Sequence, residues 1–173
     1  MSIQSKKTIL IKLLESAPLL LLFISVLNEF DFNYLNYKYF SFNFPFILIY
    51  YWSLKRSESL GYGFIFIAGL FNDVVIGFPI GLSSLTYLII CGFAAYLRNI
   101  TLHPNLVNDW LFFLFTILVA TSINYFLLII IFNVDVNYYD LTGNIFFTFL
   151  LYYIFSFIFE FYYNKVFKRK KND

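Results

Sequence analysis

Apolar and polar positions along this chain fall into long blocks rather than alternating singly. Six apolar blocks, at about 8–27, 37–54, 59–75, 82–97, 110–132 and 145–163, are divided by short polar segments. Roughly 20 apolar residues let a helix cross a bilayer. The pattern predicts an all-α integral membrane protein, a single polytopic domain with about six transmembrane helices in one compact bundle. The second block is the shortest in apolar content. Its apolar part, 44–54, opens at Pro45 and is too short to cross alone. It is expected to borrow from 37–43 or to sit where the bilayer is thin.

The strongest interruption lies between the third and fourth blocks. Residues 69–81 carry Gly69, Asn72, Asp73, Gly77, Pro79 and Gly81 in an otherwise apolar setting. An ionisable group at mid-bilayer costs roughly 2.5–3.5 kcal/mol on insertion scales, so Asp73 draws notice. Glycine and proline release backbone groups that lipid cannot satisfy, so this break is expected to face protein or water. A helix should end here and the chain should turn back. Gly61, Gly63 and Gly69 also give the third span a thin face for close helix approach. Asp73 has two readings: an acceptor for the amides freed at the break or for Asn72, or a carboxylate lining a polar crevice.

In the first block, Lys12 and Glu15 stand three apart on one helical face. They form a candidate interfacial ion pair, or a buried pair gripping another helix. They also interrupt the run, and no small-residue cleavage site is clear. The block is therefore read as a retained span rather than a signal peptide. In the fifth block, Thr121, Ser122 and Asn124 suit helix–helix hydrogen bonds better than a substrate site. Cys91, the single cysteine, lacks a disulfide partner and reads as a small buried side chain; His103 reads as a loop residue. No catalytic, metal-binding or cofactor-binding set emerges.

Composition strengthens the membrane assignment. Of 173 residues, 61% are hydrophobic and 24% aromatic, and only 13% are charged. A soluble domain carries about 25% charged residues. The net charge of +2 matters less than its distribution. With the amino terminus cytoplasmic, six spans place every one of the 12 Lys and Arg residues except Lys38 on the cytoplasmic side. Glu29, Asp31, Asp135 and Asp140 then lie outside, with Asp73 near that face. Both termini are expected to be cytoplasmic. The closing run from Lys165 to Lys171 reads as a stop-transfer flank or a site for anionic lipid.

Residues 44–98 resemble the core of the MreD family, the rod shape-determining membrane proteins of bacteria. The likeness is carried in order by Pro45, Tyr51-Trp52, Lys55-Arg56, Gly69-Leu70-x-x-Asp73, Gly77-x-Pro79-x-Gly81-Leu82 and Tyr96-Leu97-Arg98. It implies a non-enzymatic multipass subunit of the cell-elongation machinery in the cytoplasmic membrane. The implied partners are an MreC-like protein and, through it or directly, MreB, RodA and a class B penicillin-binding protein. Lipid, and not nucleic acid, is the expected surroundings. The family is also distantly similar to the substrate-binding subunits of energy-coupling-factor vitamin transporters, which suggests the alternative of a small-molecule uptake subunit. No catalytic residue carries over. An intramembrane enzyme is disfavoured because Asp73 has no second carboxylate in a neighbouring span.

Overall fold

The structure is a computed structural model that describes residues 14, 16–27, 41–56, 59–101, 105–133 and 138–168. Lys12, Glu15, Glu29, Asp31, Lys38, His103 and Asp135, and the run after 168, lie outside the described residues. Among the described residues there are six α-helices and no strand: α1 (Ala17–Leu27), α2 (Phe44–Arg56), α3 (Tyr62–Ile76), α4 (Leu82–Ile100), α5 (Leu106–Phe132) and α6 (Tyr138–Tyr163). A π-helical turn, Asn164–Lys168, continues α6.

α2 is the hub. It packs against α1, α4 and α6, while α1–α3, α3–α4, α4–α5 and α5–α6 pair around it. Tyr162 of α6 closes the ring by donating its hydroxyl to the Leu14 carbonyl at 2.7 Å. Every residue of α2 from Phe44 to Leu54 is buried. This explains how so short a helix is accommodated. A helix enclosed by other helices has no lipid to match, so the spanning length does not bind it. Ser41–Asn43 are not helical, so α2 does not lengthen into them. Pro45 sits in the first turn, where its missing N–H breaks no helical bond.

Helices in lipid gain little hydrophobic drive toward one another and depend on close packing and hydrogen bonds. Aromatic rings supply much of that packing. Tyr50 meets Phe113 of α5 at 5.0 Å and Tyr152 of α6 at 5.6 Å between ring centroids. Phe113 and Tyr152 stack on each other at 4.2 Å. The outer faces are apolar too, with Phe115, Phe126, Ile130, Phe157 and Phe161 all exposed. Among the described residues, two helices are long and apolar enough to cross a membrane, Leu106–Phe132 and Tyr138–Val166. Both begin before the apolar blocks that predicted them, because the polar residues ahead of Trp110 and Ile145 are also helical.

The helices run alternately up and down, which sorts the chain into two ends. The start of α2, the α3–α4 turn, the end of α5 and the start of α6 share the turn end. Lys55, Arg98, Asp109 and Glu160 share the opposite, basic end.

Candidate functional site

The α3–α4 turn is built around Asp73, which is fully buried. Its backbone carbonyl closes α3. Gly77, left-handed at φ 76°, donates its N–H to that oxygen, and so does Phe78 at 2.9 Å. The Phe78 bond is the six-to-one bond of a Schellman cap and the Gly77 bond the five-to-one bond of an αL cap, and both require a residue free to adopt positive φ at Gly77. The Asp73 side chain then opens α4. Oδ2 accepts from the Gly81 amide at 2.6 Å and Oδ1 from the Ser83 amide at 2.9 Å. Gly81 occupies the N-cap position with φ 104° and has no side chain to cap with. Asp73 supplies that cap from the preceding helix. A carboxylate is well suited to it, because the amino-terminal end of a helix carries partial positive charge. Pro79, between the two glycines, accepts the Leu82 amide at 3.3 Å.

Two neighbouring contacts lock the pair. Asn72 Nδ2 donates to Ser83 Oγ at 2.9 Å, and Ser84 Oγ donates to the Phe66 carbonyl at 2.8 Å. Asn72 thus bonds Ser83 rather than the Asp73 carboxylate. At Gly69 the helices nearly touch, since a Cβ there would collide with the backbone N and Cα of Ser84. The structure brings together all six residues of the break, Gly69, Asn72, Asp73, Gly77, Pro79 and Gly81, in one helical hairpin.

Beside this hairpin lies a partly open crevice of about 200 Å³, reached by Asn72, Ser83 and Thr86 from one side and by Thr121, Asn124 and Tyr125 of α5 from the other. Asn43 and Asn144 complete its polar wall. Asn124 Nδ2 donates to Thr86 Oγ1 at 2.7 Å, joining α5 to α4. Thr121 spends its hydroxyl on the Ile117 carbonyl of its own helix, and Ser122 is exposed on the outer face. Of the three polar residues predicted for helix pairing, Asn124 alone bonds across helices. The sequence reading missed Ser83, Ser84, Thr86, Tyr125 and Asn144. A usable signal was present: 83 and 86, and 121, 124 and 125, each recur at helical spacing on one face.

The basic end is a second polar cluster. Glu160 lies 3.3 Å from Lys55 Nζ and accepts the Tyr51 hydroxyl at 2.9 Å. Tyr50 donates to the Asp109 carbonyl at 3.2 Å, and Arg98 Nη1 reaches the Ser53 carbonyl at 3.5 Å. Cys91 is buried with its sulfur 3.1 Å from Ser53 Oγ.

Among the described residues, no group of three or more His, Cys, Asp or Glu is placed to hold a metal ion. Both oxygens of Asp73 are occupied by amides, so it has the bonding of a helix cap rather than of a free base.

Comparison with known proteins places the chain by its sequence. No curated protein and no solved structure matches it. A family model, described as rod shape-determining protein MreD, matches residues 9–169, nearly the whole chain. The match includes the hub helix, the Asp73 hairpin and both long apolar helices, and with it the chain belongs to the MreD family of rod shape-determining membrane proteins.

Proposed function

We propose that this protein is a non-enzymatic multipass scaffold of the bacterial cell-elongation machinery. In this reading it binds an MreC-like protein and, through it or directly, MreB, RodA and a class B penicillin-binding protein. Family membership carries the role in rod-shape determination. The observation that favours a scaffold is the engagement of Asp73: its two carboxylate oxygens hold α3 to α4. The buried carboxylate of the hairpin therefore works on architecture, and the outward faces of the helices are left for partners and lipid. The basic end faces the cytoplasm, as the distribution of Lys and Arg favours, and both termini lie there. Depleting the protein in its host should change cell width or curvature before bulk growth stops. Co-purification after crosslinking in membranes should recover the MreC-like partner. Normal morphology on depletion would reject the reading. For topology, an external thiol reagent should label Asp135→Cys and not Lys170→Cys.

The crevice supports a second reading, a substrate-binding subunit of a vitamin-type transporter, similar in build to those of energy-coupling-factor systems. A vitamin requirement on depletion, with unaltered shape, would select it.

A further inference from the structure

α2 and α3 are both short, but only α2 is enclosed. α2 is buried along nearly its whole length, whereas α3 stands on the outside, paired with α1 and α4. Phe64, Ile67, Phe71 and Val74 of α3 are exposed, and in a membrane that face meets lipid. α3 has 15 residues, about 22 Å at 1.5 Å per residue. The hydrocarbon core of a bilayer is about 30 Å thick. Neither end of α3 makes up the difference. At its start, Gly61 offers no side-chain cap, so the amides of the first turn need water or lipid headgroups. At its end, the chain breaks at Gly77, and the carbonyls after Asp73 have no further turn to bond them. Hydrocarbon supplies a partner for neither set, so the apolar layer on this flank ends at or inside both breaks. α4 repeats the limit. Between its Gly81 cap and Arg98, its apolar part at 82–97 is about 24 Å long, and an arginine head keeps to the water interface. On α5 the apolar part at 110–132 is about 34 Å long, enough for a bilayer of ordinary thickness. The bundle thus presents two apolar heights, with α3 and α4 about 10 Å shorter than α5.

We propose that the α3–α4 flank is a lipid-sorting surface: it thins the bilayer beside it and gathers phospholipids with short acyl chains, while α5 takes lipid of ordinary length. A mismatch of several ångströms between apolar span and bilayer is enough to sort proteins among membranes, and the same cost acts on the lipids that touch the span. The proposal stands on helix lengths, helix ends and exposure, and holds whether the subunit scaffolds or transports.

The test is the lipid composition beside each flank of the full-length protein, in liposomes that mix dimyristoleoyl- and dioleoyl-phosphatidylcholine. A bimane label on Ile67→Cys reports on α3, and one on Leu118→Cys reports on α5. Both side chains are exposed near the middle of their helices. Cys91 is buried, and protein without an added cysteine gives the background. In each mixture one lipid or the other carries bromine on its chains as the quencher. Quenching against composition then yields the relative occupancy of the two lipids at that flank. At position 67 the short-chain lipid should be favoured by about twofold or more, and at position 118 the two should be equal or the long-chain lipid ahead. Phe66→Cys and Phe115→Cys, also on exposed positions, form a second pair that should repeat the split if a label disturbs the first. The proposal is overturned if the two flanks show the same preference, or if the long-chain lipid is ahead beside α3. It is equally overturned if neither brominated lipid quenches the α3 labels while both quench those on α5, since a second copy of the chain then covers α3.

Discussion

The Asp73 hairpin at the turn end and the polar cluster at the basic end hold their groups in opposite ways. In the hairpin, the partners are near in sequence. Asp73 reaches amides 8 and 10 residues away, Asn72 reaches 11, and Ser84 reaches back 18. At the basic end they are far apart. Tyr50 finds Asp109 at a separation of 59, and Tyr51 finds Glu160 at 109. The hairpin can therefore form as soon as α3 and α4 meet, whereas the crevice beside it, with Asn144 bonded to Ser41 across 103 residues, needs the other helices. The basic end likewise exists only after α2, α5 and α6 have assembled. The hairpin is a supersecondary unit, and the basic end reports completion of the whole bundle.

The contrast breaks most severely at Gly69. A leucine there must displace the Ser84 backbone, which cannot move aside as a flexible side chain would. Gly69→Leu should cost about 3 kcal/mol or more, the upper end of overpacking effects. Membrane abundance should fall sharply, and disulfide trapping between cysteines placed in α3 and α4 should be lost. Normal abundance and normal trapping would show that the hairpin does not depend on this contact.

Asp73 comes next. Asp73→Leu removes acceptors from two amides at a buried helix start and should cost about 2–4 kcal/mol. Asp73→Asn is the sharper variant. It keeps one acceptor, but its amide group turns a donor toward an N–H that needs an acceptor. A cost of about 1–2 kcal/mol is expected, measured by unfolding in detergent with added denaturant. If Asp73→Asn is as stable as wild type yet fails to support rod growth, the carboxylate serves function beyond the cap.

The same difference in range explains what could be read from the sequence. Gly77, Pro79 and Gly81 mark a helix stop and restart because their backbone preferences act locally. Asp73 stands out because charge is rare among apolar residues. Its partners were foreseeable as a class, freed amides, since a glycine at the N-cap cannot cap itself. The central place of α2 was hidden. Its 44–54 stretch reads as a short span that borrows from 37–43 or sits where the bilayer is thin, and only packing with α1, α4 and α6 shows it enclosed. Glu160 and Asp109 looked like residues at the borders of spans. Nothing local pairs them with Tyr51 or Tyr50, because those contacts depend on how separate helices pack. The crevice was half legible: Asn72 and Asn124 were visible as polar residues, but their convergence with Asn144 depends on three helices meeting.

At the basic end, the isostere should behave differently from the one at the turn. Glu160→Gln keeps an oxygen to accept the Tyr51 hydroxyl and loses only the partly exposed pairing with Lys55. A cost of about 0.5 kcal/mol or less is expected, as for exposed ion pairs. Glu160→Ala also strands the hydroxyl of buried Tyr51 and should cost about 1–2 kcal/mol. A double-mutant cycle with Tyr51→Phe separates the two contributions. If Gln is as damaging as Ala, the ion pair dominates, and the basic end depends on charge as the turn end does.

The smallest effect is expected at Tyr87, whose hydroxyl, like Asn124 Oδ1, is a buried polar group at the turn end without a hydrogen-bond partner. Tyr87 lies in α4, only 1% exposed, with its ring edge-to-face against Phe46 at 5.9 Å. Its hydroxyl is buried and has no hydrogen-bond partner. Tyr87→Phe retains the ring and its contact with the hub helix while removing only the unbonded oxygen. An unmatched buried hydroxyl is destabilising, so its removal should be neutral or raise stability by up to about 1 kcal/mol. The measurement is the melting temperature of the purified variant, set beside Tyr87→Leu, which removes the aromatic contact as well and should lower it. A clear loss of stability in Tyr87→Phe would mean that an ordered water bonds the hydroxyl. Asn124 Oδ1 would then remain as a buried acceptor at the turn end without a donor.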